Sequence, residues 1–276
     1  METPDRCYLS ALPAEIISHL FTSLPALVDV LNFAATCSRH QQIWQQNANW
    51  IYRQVGPRSI ECPPYARVFL ADQGGPHPKA TLTARDVVQL VRNAAAAERS
   101  VNLFDQKFVA CLQTRAYLRS RHHQFFGPPP TQLSPSERHR LTRAIYQLSG
   151  LVLLHPDARE NRMASLKLKD VMAIIELANG YDDIYEVLMT VKAEPLLLET
   201  IAFRLHDFRD RIVAELLHDP HRIRGFPPEM GWRGCISLWD TFYEDFKEMV
   251  TVTGKGRVHA PIDEVWYDTS DEDAMD

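Results

Sequence analysis

Along the first 55 residues, apolar side chains recur at helical spacing and polar ones fill the gaps. Leu12, Ile16, Ile17, Leu20, Phe21 and Leu24 fall at i, i+4, i+5, i+8, i+9 and i+12, one wide apolar stripe. Pro13 stands in the first turn, where a helix tolerates proline, and Glu15 complements the positive end of the helix dipole. Leu24-Pro25 breaks the stripe. A second follows with Leu27, Val30, Leu31, Ala34 and Ala35, and a third with Ile43, Trp44, Ala48, Ile51, Tyr52 and Val55. The pattern predicts three short helices joined by short breaks.

Residues 56–79 read as a Pro/Gly-rich connector, with a short helix over Tyr65–Ala71 inside it. From Thr83, an N-cap with Asp86 three positions on, an apolar face runs through Val87, Leu90, Phe104, Phe108 and Cys111 to about Phe126. Gly127-Pro128-Pro129-Pro130 stops it. Ser134-Pro135-Ser136-Glu137 is the strongest local signal: Ser134 as N-cap, Pro135 at N1, Glu137 closing a capping box. The helix it opens is predicted to end near His155-Pro156. Further helices are expected at about 166–178, 181–191, 196–218 and 236–250. Hardly any segment alternates with period two, and no repeat of 20–50 residues is present. The expected fold is all-α: a small three-helix unit, a larger irregular helical domain over 80–252, and an acidic tail over 260–276.

Composition leaves that picture intact and narrows the setting. With 276 residues, 45% apolar and 24% charged, the chain is long enough to bury a core without metals or disulfides. Five scattered cysteines (Cys7, Cys37, Cys62, Cys111, Cys235) show no paired spacing, which argues against a disulfide framework or zinc ribbon. Met1-Glu2-Thr3-Pro4-Asp5 is the wrong start for a signal peptide, and apolar runs such as Leu151–Leu154 are far short of the ~20 residues of a spanning helix. A reducing compartment, cytoplasm or nucleus, and no membrane partner are expected. The net charge of −5 belongs to the end of the chain: from Asp263 onward seven residues are acidic and none is basic. Such a run reads as a solvated, disordered tail.

Read in order, Leu12-Pro13-Ala14-Glu15-Ile16-Ile17, Leu20-Phe21, Leu24-Pro25, Asp29-Val30-Leu31, Thr36-Cys37-Ser38-Arg39 and Asn49-Trp50 resemble an F-box over residues 9–55. The likeness lies in an LPxEI opening, an apolar pair one turn later, a central Leu, an Asp-plus-aliphatic start to the second helix, a Cys-x-Arg and a closing Trp. His40 departs from it, standing where the family often has Trp or a large apolar residue. Physical reasoning points the same way, because about 45 residues bury too little surface to close a core alone. Both Ile16 and Ile17, and both Leu20 and Phe21, exceed what one stripe needs, so part of that surface should face a partner. The resemblance implies that the partner is a Skp-family adaptor and, through it, a cullin–RING ubiquitin ligase. Leu12, Pro13, Ile16, Ile17, Leu20, Phe21, Leu24 and Leu31 are the expected docking residues. The rest of the chain would then recruit a client protein. The alternative is a scaffold or regulatory protein that binds the adaptor without delivering a substrate.

Residues 107–143 hold Lys107, Arg115, Arg119, Arg121, Arg138, Arg140 and Arg143 against one acid, Glu137. Arg119, Arg121, Arg138, Arg140 and Arg143 are candidates for an acidic or phosphorylated client, since guanidinium pairs bidentately with phosphate. A solvated helix face is the competing reading, and nucleic acid ranks last because aromatic residues do not interleave. Catalytic motifs are missing: no GxSxG, HExxH, P-loop or GxGxxG. Cys111, His122, His123 and His139 lack the spacing of a metal site. No catalytic residue, metal or cofactor is assigned.

Overall fold

Proline placement and borrowed caps set the boundaries of the first helices. The computed structural model describes residues 12–110, 131–179 and 194–217, and every regular element among them is helical, as expected. Helix α1 (Ala14–Ser23) starts behind Pro13, whose carbonyl accepts the Ile17 N–H at 3.1 Å. It ends at Leu24, held extended because Pro25 follows. α2 (Leu27–Ala34) has no cap of its own, and the Leu27 N–H donates instead to Ser59 Oγ at 2.7 Å. Ser59 is the last residue of α3 (Ser38–Ser59), which runs through Pro57 rather than breaking at Gly56-Pro57. Proline there removes one ladder bond near the end, and the helix stops two residues later. Gly56 makes room for the Tyr52 ring, since a Cβ would lie 2.7 Å from Tyr52 Cε2.

Ile17, Phe21, Leu27, Val30, Trp44 and Ile51 are buried among these helices. Phe21 meets Phe33 and Trp44 at ring-centroid distances of 5.0 and 6.4 Å. His40 fills its buried slot as a flat ring, 4.4 Å from that of Phe33. The Thr36 hydroxyl donates to Phe33 O at 2.7 Å and stands 2.8 Å from His40 Nδ1.

The chain packs as two units that divide after Ala96. The first also includes α4 (Pro63–Asp72), longer than the segment read from sequence, and the opening part of α5 (Ala84–Phe104). Thr83 and Asp86 cap α5 reciprocally: Asp86 Oδ2 accepts the Thr83 N–H at 2.8 Å, and Thr83 Oγ1 accepts the Asp86 N–H at 3.3 Å. Three contacts tie α4 and α5 into this unit. The Arg67 guanidinium lies 5.7 Å from the Tyr52 ring, Asn49 Oδ1 accepts the Leu82 N–H at 3.0 Å, and the Gln73 and Asn93 amides pair at 2.8 and 3.3 Å. Residues 56–79, a connector by sequence, therefore supply core: Ile60, Phe69 and Leu70 are buried, as are Val87 and Leu90 beyond them. The core that three helices alone cannot close is closed here.

In the second unit, the end of α5 continues into a π-helical turn, Asp105–Val109, and Asp105 Oδ1 accepts the Leu133 N–H at 2.9 Å. α6 (Pro135–Leu153) carries the expected capping box, with Ser134 Oγ accepting the Glu137 N–H at 3.2 Å and Glu137 Oε2 the Ser134 N–H at 2.7 Å. Every residue from Leu141 to Leu151 is buried, so α6 is a core helix. α7 (Pro156–Ala164), α8 (Leu168–Asn179) and α9 (Pro195–Leu217) pack against it, and α8 against α9. α7 was not expected: Pro156 reads as a stop for α6, yet the same proline opens the next helix. Arg159 on α7 reaches back and donates to Leu151 O and Leu154 O at 2.7 and 2.8 Å, satisfying carbonyls at the end of α6.

The expected extension to Phe126, the helices at 181–191 and 236–250, and the tail at 260–276 lie outside the described residues. No helix among the described residues is long and apolar enough to cross a membrane.

Candidate functional site

The doubled apolar positions of α1 split between inside and outside. Ile17 and Phe21 are fully buried, while Ile16 is 46% and Leu20 is 36% exposed. Ile16 and Leu20 are one turn apart, so they share a face of α1. Exposed Pro13 precedes them, and Leu12, Leu24 and Leu31 are half-buried. Of the eight residues expected to dock, Ile17 and Phe21 are thus corrected to packing residues: they hold α1 against α2 and α3 and present nothing outward.

Two further apolar side chains stand in solvent on this unit. Val28 on α2 is 51% exposed, three positions from Leu31 and so on the same helix face. Trp50 on α3 is 39% exposed, and its ring meets that of His19 on α1 edge-on at 5.7 Å. Sequence reasoning missed Val28, because it sits beside buried Leu27 and only exposure separates them. Trp50 belongs to the ordered motif but was not singled out as a contact. Ile16 with Leu20 on α1, Val28 with Leu31 on α2, and Trp50 on α3 are apolar side chains of the kind that protein interfaces bury. On α3, burial raises the Tyr52 hydroxyl above its ordinary pKa, against the pull of Arg67.

Of the basic candidates, the described residues place Arg138, Arg140 and Arg143 in different surroundings. Arg119 and Arg121 lie outside the described residues. Arg138 is half-buried and donates to Asn102 Oδ1 at 3.0 Å, and Arg140 is half-buried on the same helix. Arg143 is 2% exposed, and its Nε stands 2.8 Å from Asp170 Oδ1 on α8. The expectation that Arg143 meets a client is therefore corrected. It lies in the buried stretch of α6, and its charge is already matched by an interior carboxylate. Of the residues weighed as metal ligands, Cys111, His122 and His123 lie outside the described residues, and His139 is half-buried on α6.

Where α8 meets α9, burial pushes the Glu176 carboxyl up to about 7, against the pull of the Arg209 guanidinium. Burial and the same Arg209 hold the His206 imidazole below its ordinary value, with Asp210 and Asp207 pulling the other way. Arg209 itself pairs with Asp210 at 2.7 Å. The raised Glu176 carboxyl couples the packing of α8 against α9 to pH.

Comparison with protein-family models, curated proteins and solved structures gives no match.

Proposed function

We propose that this chain is a substrate-recognition adaptor of a Skp–cullin–F-box ubiquitin ligase. Its first unit docks on a Skp-family adaptor, and its second unit presents a client protein. The observation that carries the reading is the division of the ordered motif, with Ile17 and Phe21 packed and Ile16 and Leu20 left in solvent. A helix packed on one side gains nothing from apolar side chains on the other unless something covers them. Docking through Ile16, Leu20, Val28 and Leu31 supplies about 1 kcal/mol per side chain, since each is already partly buried, and Trp50 is the aromatic anchor type that dominates protein interfaces. Holding a client beside the ubiquitin-carrying enzyme raises transfer by proximity, and the chemistry belongs to that enzyme. Arg138 and Arg140 remain candidates for an acidic or phosphorylated client.

Affinity purification of the full chain, alongside the Ile16→Asp, Leu20→Asp double variant, tests this. The native chain should retain adaptor and cullin together, and the variant should lose both while keeping its clients. Retention of the adaptor by the variant, or none by the native chain, would overturn the proposal. If adaptor and cullin are retained but no bound protein accumulates when the gene is deleted, the chain is a scaffold rather than a receptor.

A further inference from the structure

α3 holds α1 by its backbone. Near the start of α3, Arg39 Nη2 donates to Leu12 O at 2.7 Å, just ahead of the first turn of α1. Near its end, Arg58 Nη2 donates to both Thr22 O and Leu24 O at 2.6 Å, and Arg58 Nη1 to Gln54 O at 3.2 Å. The next residue, Ser59, accepts the Leu27 N–H at 2.7 Å. One turn of α3 therefore fixes the last carbonyls of α1 and the first N–H of α2, on either side of the Leu24-Pro25-Ala26 link. These carbonyls have no partner within α1, so a cation there also complements the negative end of its dipole. Both arginines are exposed, and neither is needed to fill the core.

We infer that Arg39 and Arg58 are positioning residues for the docking surface, fixing α1 at both ends so that Ile16 and Leu20 stand in register with Val28 and Leu31. The inference rests on the docking reading above and adds the means of presentation. Side-chain packing through Ile17 and Phe21 sets which face of α1 points inward. Backbone clamps at both ends add a restraint on its position along α3 that apolar contacts, which have no directional preference, do not supply. An interface spanning two helices gains affinity from such preorganisation because less ordering remains to be done on binding. Arginine suits the role better than lysine, since its fork reaches several acceptors at once.

The test is the affinity of the full chain for a purified Skp-family adaptor, measured at a temperature where every variant is fully folded by circular dichroism. Arg58→Ala should weaken binding about tenfold and Arg39→Ala about threefold. Arg58→Lys should recover most of the loss. Amide exchange at Leu27 and along α1 should quicken in Arg58→Ala but not in the core of α3. A role confined to stability would lower the melting temperature and leave the affinity of the folded protein unchanged. Binding by Arg58→Ala within a factor of about two of the native chain overturns the clamp while the docking reading stands. Absence of binding by the native chain overturns both.

Discussion

Replacing Asp170 by Ala removes the carboxylate from the Arg143 guanidinium inside the packing of α6 against α8. The two side chains are 3% and 4% exposed, so water cannot take the place of the missing partner. At 2.8 Å their attraction is on the order of 6 kcal/mol for an effective dielectric near 20, most of it offset by the desolvation both charges suffered on folding. Removing one partner forfeits the attraction and keeps the other's desolvation, which costs about 3–5 kcal/mol. That is a large share of the ~5–15 kcal/mol by which a domain is stable. The assay is urea unfolding with amide exchange read on α6 and α8, so that loss of the second unit is seen separately from the first. Arg143→Met with Asp170→Leu fills the same space without charge and should recover most of the stability. A loss below about 1 kcal/mol in Asp170→Ala would refute the buried pair. So would an Arg143→Ala variant that keeps full stability while losing an acidic client.

Glu176→Gln should make stability less dependent on pH. The native carboxyl is raised from 4.5 to about 7, so its contribution is fully present below pH 4.5 and lost as pH rises through about 7. The variant should be more stable than the native chain at pH 8, by on the order of 3 kcal/mol, and the gap should close by pH 4.5. A gap that does not change with pH contradicts the buried-carboxyl account. Gly56→Ala should lower the melting temperature despite the better helix propensity of Ala, because the new Cβ strikes the Tyr52 ring at 2.7 Å. A higher melting temperature would show that the ring yields easily. Ser134→Ala removes one arm of the capping box on α6 and should cost about 1 kcal/mol, measured by chemical denaturation.

Most helices were legible because their signals are local. The Ser134–Glu137 box and the Thr83–Asp86 pair read the same in the sequence as in the structure. α7 was hidden because Pro156 satisfies the rule for ending one helix and the rule for starting another. α3 overran its expected end because packing around Tyr52 outweighs the breaking tendency of Gly56-Pro57. The site was legible in part. A doubled apolar pair announces that one member faces outward, but periodicity at adjacent positions does not say which, and Ile16 and Ile17 separate only once α3 is in place. Arg143 was misread for a related reason. A lone arginine on a helix gives no local sign of burial, and its partner Asp170 is supplied by a different helix.

The most direct test of the docking account is a titration of the purified full chain with a purified Skp-family adaptor, beside Leu20→Asp. Leu20 is 36% exposed, so a carboxylate there keeps contact with water in the free chain and loses it when a partner covers it. The account predicts tight, saturable binding by the native chain and a loss of about 100-fold or more in the variant, with unchanged circular dichroism. No binding by the native chain, or equal binding by both, contradicts it.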